Sequence, residues 1–318
     1  MSAYKGCVGV LGATSIVGEY LLPLLVEEGW DVVAFSRKAR YIKQPMNDCP
    51  VAWHLLTKSK LPDNNDVHQT GKQITFWISL TPIWVLPEYF SMLLHCGAKH
   101  VVAISSTSRF TKDNSSDPAE KKLAGNLAEN EERLAAWAKK EKITFTILRT
   151  TLVYGLGRDK NVSVIAAFIR RFAFFSVFGD ARGLRQPVHA QDVASACVAA
   201  LGASAAINRC YNISGGEIVT YREMVCRIFS ALGRKPRFVT FPLWLFRLGV
   251  FLLRIFPPFR YWSAAMAERM NEDLVFDHED AYRDLGFAPR PFLPTRKDLY
   301  GFCQSEDPVE KLNRPFLK

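Results

Sequence analysis

The chain has 318 residues, 48% of them hydrophobic and 23% charged, with a mean hydropathy near zero. This is an ordinary globular composition, long enough for one large domain or for a domain with a lobe. Seven cysteines, at 7, 49, 96, 197, 210, 226 and 303, are scattered without paired spacing, which excludes a disulfide framework or a zinc site and points to a reducing cytoplasm. The first apolar run is interrupted by glycines and has no charged lead, which argues against a signal peptide. The formal net charge is +10, and the stretch from Gly155 to Met270, with 16 Arg and Lys against 6 Asp and Glu, carries all of it. Such a basic half suits a small anionic substrate or a membrane surface. No nucleic-acid motif accompanies it, so nucleic acid is set aside as a partner.

In chain order, Val8–Leu11 reads as a buried strand that runs into a glycine turn, Gly12-Ala13-Thr14-Ser15-Ile16-Val17-Gly18. Apolar residues at Val17, Tyr20, Leu21, Leu24 and Leu25 then predict a helix. A strand, tight turn and helix in this order lay a dinucleotide pyrophosphate on a helix N-terminus. Gly12 makes the turn, Gly18 lets the helix pack on the strand, and the Ser15 hydroxyl reaches towards a phosphate. A second strand follows at Trp30–Phe35, then strands at Ile74–Ile78, ending at Ser79, and at Val101–Ile104. A long helix over Pro118–Lys142 separates the latter from a strand at Phe145–Leu148. Strands alternating with helices predict an α/β fold, a Rossmann-type doubly wound parallel sheet with its ligand site at the carboxyl strand ends. Past Gly155, helices are predicted at Val162–Phe172, Gln191–Ala203 and Tyr221–Leu232, and a strand at Arg209–Ile213 rejoins the sheet. The organisation expected is a Rossmann core (residues 1–155), a smaller substrate lobe returning to it (156–290), and an extended, proline-punctuated tail (291–318).

Five segments in order resemble the extended short-chain dehydrogenase/reductases. They are the glycine turn, Ser105-Ser106-Thr107, Leu148-Arg149 with Val153-Tyr154-Gly155, Arg185 to Ala194, and Tyr211 to Gly216. The branch they look like is the NAD-dependent epimerase/dehydratase group that acts on nucleotide sugars, and the resemblance runs from Val8 to about Phe287. It implies a cofactor on Gly12, Thr14, Ser15, Ile16 and Gly18, with Ser79 and Ser105 at the neighbouring strand ends. An acid after the second strand would hold the ribose of NAD; this chain has Ser36-Arg37-Lys38 instead. Arg37 suits a bidentate phosphate contact and Lys38 adds a point charge, which points to NADP, with NAD as the alternative. The resemblance further implies that Arg185 and Arg269 hold a substrate diphosphate from two sides, with Asn161 close to the substrate. His189 and Asp192 are expected to hold their loop and start the next helix.

The chain departs from the family at its chemistry, which rests on a Ser or Thr at a strand end and a Tyr with a Lys four residues later on the long helix. Thr107 takes the hydroxyl position, beside Ser106, but no tyrosine occurs between Thr107 and Lys142. If Glu131 or Glu132 marks the family's glutamate, the Tyr position is Leu123 or Ala124 and the Lys position Leu127 or Ala128. Either the proton donor has moved, with Tyr154, Glu120, Lys121 and Lys122 as candidates, or the protein binds NADP(H) without turning it over. The resulting expectation is an NAD(P)-dependent oxidoreductase or epimerase acting on a nucleotide-linked or lipid-linked sugar diphosphate. The alternative is a catalytically silent NADP-binding scaffold or sensor.

One basic, apolar stretch remains, Phe241–Trp262. Arg247 and Arg254 share one helical face, while Trp244, Leu248 and Phe251 cover others. It is too short and interrupted to span a bilayer. It reads either as a helix lying on the inner face of a membrane, as one buried in the lobe, or as the contact of a homodimer.

Overall fold

The computed structural model describes residues 4–37, 50–56, 73–113, 115, 117–241 and 269–300. Seven strands form the central sheet. They are β1 (Gly6–Leu11), β2 (Trp30–Ser36), β3 (Val51–Leu55), β4 (Phe76–Ser79), β5 (His100–Ser106), β6 (Thr144–Thr150) and, after four short strands, β11 (Arg209–Ile213). All their pairings are parallel, in the order β11-β6-β5-β4-β1-β2-β3. The direction of winding reverses between β1 and β4, and this places the ligand crevice at the carboxyl ends of those strands.

Alternation along β1 sends its side chains to two cores. Val8 and Val10 face Leu21 and Leu25 of α1 (Ile16–Glu27), with Val193, Ala196 and Cys197 of the later helix Ala190–Gly202 in the same cluster. Cys7 and Leu11 face Phe35, Trp77, Leu93 and Leu134 on the other side. Fully burying each large aliphatic side chain there contributes about 1.5–3 kcal/mol. Gly9 is the exception to this filling: a Cβ on it would lie 2.6 Å from the Trp77 ring, so its bare backbone is what admits that indole. Trp77 is fully buried, and its Nε1–H donates to the Ile74 carbonyl at 2.9 Å.

The other helices follow their local signals. After α2 (Phe90–His95) and the four-residue α3 (Ser108–Thr111), the long α4 (Pro118–Glu141) starts with Asp117 accepting from Ala119 N–H at 2.9 Å and with a proline in its first turn. It stops at Lys142, whose φ of 57° breaks the helical run. In the second half, α5 (Val162–Phe172), α6 (Ala190–Gly202) and α7 (Tyr221–Ala231) occur where the periodicity predicts them. A third core of Tyr154, Ile165, Ile169, Met224, Phe229, Phe292 and Leu299 holds the lobe together.

Of three small two-stranded pieces, β7 (Val153–Tyr154) with β10 (Val188–His189) joins lobe to core, while β9 (Leu184–Arg185) with β12 (Val219–Thr220) and β8 (Phe175–Phe178) with β13 (Phe238–Phe241) lie within the lobe. Helix α8 (Glu279–Leu285) packs beside β11.

The tail is corrected by the structure over residues 291–300. These residues are not an extended wrap: they contain a helical turn, α9 (Arg296–Tyr300), with Phe292 and Leu299 each 1% exposed. Asp298 anchors it. One carboxylate oxygen lies 3.0 Å from His189 Nε2, and the other accepts from Thr295 N–H and O–H at 2.8 and 2.7 Å. Of the stretch Phe241–Trp262, Phe241 closes β13, and the remainder lies outside the described residues. No described helix is long and apolar enough to cross a membrane.

Candidate active site

At the carboxyl end of β1 the chain turns at Gly12, whose φ is +74°. A Cβ there would meet Leu80 C and Thr81 N at 3.0 Å, so the turn sits hard against the end of β4. At Gly18 a Cβ would stand 2.1 Å from the Ala13 carbonyl oxygen, which shows how closely the first turn of α1 packs on the strand it leaves. Ser15 is the N-cap, its Oγ accepting from Gly18 N–H at 3.1 Å. Thr14, Ser15 and Ile16 therefore ring the positive end of a helix, where an anion gains roughly 0.3–1 kcal/mol from the macrodipole. These features fit a dinucleotide pyrophosphate: the chain turns tightly at Gly12 straight into a helix N-terminus that is capped by a hydroxyl.

Ser36 ends β2, beside β1, and is buried, and Arg37 follows it exposed; Lys38 is outside the described residues. Ser79 is 1% exposed and shares a hydrogen bond with Thr81 at 2.8 Å, across from the Gly12 turn. Ser105 departs from its expected role. It is 5% exposed, and its hydroxyl donates to Glu131 at 2.6 Å, on the α4 side of the sheet. Glu131 is 2% exposed and also takes Arg149, through Nε at 3.0 Å and Nη2 at 2.7 Å, together with Arg109. Two arginines and a hydroxyl compensate this buried carboxylate, and Ser105 belongs to that strut.

Beyond β5 lies a cavity of about 370 Å³ into which Ser106, Thr107, Asn161, Arg185 and Arg269 all open. Arg185 and Arg269 are far apart in sequence, and the fold brings them together. The Ser106 hydroxyl accepts from Ser108 N–H at 3.2 Å, so its own proton is available to an oxygen in the cavity. Thr107 is held at the strand end by its N–H and Oγ1, both directed at the Thr150 carbonyl, at 3.1 and 3.3 Å. Asn161 precedes α5 but does not cap it with its side chain; Asp159 takes the Ser163 N–H instead. That leaves the exposed Asn161 amide on the cavity wall.

The two arginines are built in differently. Arg185 is 5% exposed, and its guanidinium donates to the carbonyls of Leu184 at 2.8 Å, Glu272 at 2.7 Å, and Arg269. It lies 5.4 Å over the Tyr221 ring, and burial pulls its pKa below the ordinary arginine value. Arg185 thus fastens the segment 269–274 over the cavity. Arg269 ion-pairs with Glu120 in the first turn of α4.

Tyr154 is removed from the candidate catalytic residues. It is 1% exposed, with its ring edge-on to His189 at 5.1 Å and Phe292 at 5.0 Å, and it does not line the cavity. Burial pushes its phenol pKa upwards. His189 starts α6, its Nδ1 accepting from Gln191 N–H at 3.1 Å, whereas Asp192 accepts from Arg290, remote in the chain.

The cavity also contains groups that sequence reasoning did not select, among them Lys112, Tyr221, Gln186 and Phe276. Lys112 carries one sequence signal, its place five residues past Thr107. Gln186 carries none, since its role is to accept the Phe276 N–H at 2.6 Å from a segment remote in the chain. No residue of α4 lines the cavity. Where the resemblance puts a Tyr and a Lys four residues apart, the chain has Leu123 with Leu127 or Ala124 with Ala128, of which Ala124 and Leu127 are buried. Among the described residues no group of His, Cys, Asp and Glu is arranged to hold a metal ion.

Comparison with known proteins agrees with this architecture. Residues 89–214 match the model of the NAD dependent epimerase/dehydratase family. An uncharacterized protein of Sinorhizobium fredii is 28% identical over 187 residues, 57% of this chain and 44% of that one. UDP-glucose 4-epimerase of Vibrio cholerae is 26% identical over 165 residues, 51% of this chain and 47% of the relative. The chain thus spans less than half the length of these curated relatives. UDP-glucuronic acid 4-epimerase of Bacillus cereus, solved with UDP-glucuronic acid and NAD, superposes with a TM-score of 0.67 at 16% identity, covering 93% of this chain and 97% of that one. At that identity the likeness is one of fold.

Proposed function

We propose, on the premise that residues 89–214 belong to the NAD dependent epimerase/dehydratase family, that this chain is a dinucleotide-dependent oxidoreductase or epimerase acting on a sugar diphosphate. The observation that carries the proposal is a juxtaposition. A glycine turn opening onto a helix N-terminus and a cavity with two arginines flank the carboxyl ends of the same parallel sheet.

In this reading Gly12, Thr14, Ser15 and Ile16 hold the pyrophosphate, and Arg37 meets a 2′-phosphate in place of the acid that would favour NAD. The bound nicotinamide supplies reversible hydride transfer. Thr107 and Ser106 hydrogen-bond the substrate oxygen at the reacting carbon. Arg269 draws the diphosphate in, while Arg185 braces the segment that carries it. A nucleotide or a lipid carrier on the far phosphate is served equally by this chemistry. The basic, apolar stretch 241–262 favours placing the protein at the cytoplasmic face of a membrane when the carrier is lipid.

A second reading, a scaffold that binds NADP(H) without turnover, is favoured by the apolar pair, Leu123 with Leu127 or Ala124 with Ala128, standing where the resemblance puts a Tyr and a Lys. Fluorescence titration with NADPH and NADH tests the first element. NADPH binds more tightly, and Arg37→Glu reverses the preference; equal affinities, or no effect of that change, refute the assignment. Reduction of NADP+, or epimerisation of the sugar followed by NMR, in the presence of UDP-glucose or UDP-glucuronic acid separates enzyme from scaffold.

A further inference from the structure

The helix that carries the family's acid and base contributes nothing to this cavity, so the proton must be exchanged with another group. Among the described residues, four side chains lining the cavity titrate: Lys112, Arg185, Tyr221 and Arg269. Arginine keeps its proton under all working conditions. Tyr221 lies beneath the Arg185 guanidinium, and burial pushes its pKa up to about 12. It too holds its proton. Lys112 remains.

Its placement is specific. α3 begins at Ser108, directly after Thr107, and Lys112 caps its end through N–H to the Ser108 carbonyl. One helical turn therefore puts both Thr107 and Lys112 among the residues that line the cavity. Lys112 Nζ lies 3.8 Å from Glu120 Oε1. That oxygen already serves Arg269, and the other carboxylate oxygen accepts from Ser115 Oγ at 2.7 Å. Glu120 thus divides its charge between two cations, and Lys112 is the one at the longer distance. Burial and the neighbouring Arg269 disfavour the ammonium, Glu120 and Asp117 favour it, and the balance lowers the pKa from the ordinary lysine value.

We propose that Lys112 is the catalytic acid and base of this cavity, exchanging a proton with the substrate hydroxyl held at Thr107. The proposal rests on the reading that a sugar alcohol occupies the cavity beside a bound dinucleotide. In the oxidative direction the neutral amine takes the hydroxyl proton: the O–H bond breaks and an N–H bond forms. The C–H electron pair would leave as hydride to a bound oxidised nicotinamide, leaving a carbonyl on the substrate. Reversal returns hydride to carbon and the proton from Nζ to oxygen. Glu120 is a positioning residue that holds the amine in reach.

Competitive acylation of the full chain with trace acetic anhydride across pH, read peptide by peptide in a mass spectrometer, measures the Lys112 midpoint without any turnover. The expected midpoint is below the ordinary lysine value of about 10.4, with labelling suppressed by UDP-glucose. Lys112→Met and Lys112→Arg are both expected to lower kcat by about 10²–10⁴-fold while leaving NADPH affinity and the melting temperature unchanged. Arginine keeps the charge but cannot release the proton, so a role in binding alone is rescued by it. A midpoint at the ordinary value, or kcat retained in Lys112→Arg, overturns the proposal. Failure of the wild type to bind NADPH while the Lys112 midpoint remains depressed overturns the functional reading instead.

Discussion

The same chemical change, glycine to alanine, has opposite expected effects at two helical positions of this chain. At Gly18 the new Cβ would lie 2.1 Å from the Ala13 carbonyl oxygen, 1.3 Å inside the 3.4 Å at which ordinary contact begins. The obstacle is main chain, so no rotamer relieves it, and α1 must move away from the turn at Gly12. Overpacking of this kind costs about 3 kcal/mol. At Gly125, exposed in the middle of α4, a Cβ meets nothing within 4 Å. Alanine there removes the conformational entropy penalty of glycine and stabilises by about 0.5–1 kcal/mol. With roughly 2 °C of melting temperature per kcal/mol for a chain of this size, Gly18→Ala falls by about 6 °C and Gly125→Ala rises by about 1–2 °C in a thermal melt. NADPH titration of the same proteins adds the functional half. Gly18→Ala loses cofactor affinity because the helix end no longer meets the turn, and Gly125→Ala keeps it. Equal melting shifts of one sign, or full cofactor affinity in Gly18→Ala, refute the argument from close packing.

Three other outcomes are expected. Glu131→Gln leaves Arg109 and Arg149 facing a neutral group in a buried site and costs about 3–5 kcal/mol in urea denaturation; Ser105→Ala costs about 1 kcal/mol, and neither changes NADPH affinity, so weaker binding in Ser105→Ala restores that hydroxyl to the cofactor site. At Asp298 burial raises the carboxyl pKa, but the hydrogen bonds from His189 and Thr295 outweigh it and hold the value below the ordinary one; its contribution to stability is complete above the unfolded value of about 3.9 and is lost as pH falls through the lower folded one. The stability gap between wild type and Asp298→Asn therefore narrows on acidification, and a gap independent of pH contradicts the assignment. The full chain sediments with anionic vesicles and less so in high salt, each basic residue near the surface contributing about 1 kcal/mol. Binding indifferent to lipid charge and salt removes the membrane contact.

Residues whose role is set by neighbours in sequence were legible in the sequence. Gly12 and Gly18 signal a turn and a close helix within seven residues, and Asp117-Pro118 signals the start of α4. Arg185 and Arg269 were legible only through the resemblance, since no local pattern joins two arginines so far apart. Hydroxyl residues were misread where their orientation matters. Ser105 and Ser106 are adjacent on β5, and the alternation of a strand sends one to Glu131 and the other to the cavity. Tyr154 was misread because its two-residue strand pairs with Val188–His189, a tertiary contact that buries the ring. In the tail, Pro291 and Pro294 announce a break in helix, but the buried partner that folds residues 295–300 back, His189, lies more than a hundred residues upstream. Lys112 was passed over for the same reason, because its significance comes from Glu120 and Arg269 meeting at one carboxylate.

A crystal structure of the full chain grown with NADP+ tests the central claim most directly. The account predicts the pyrophosphate across Gly12, Thr14, Ser15 and Ile16 at the start of α1, the 2′-phosphate on Arg37, and the nicotinamide opening towards Thr107 and the cavity that holds Lys112. A cofactor bound elsewhere, with the Gly12 turn and the end of α1 bare, contradicts it.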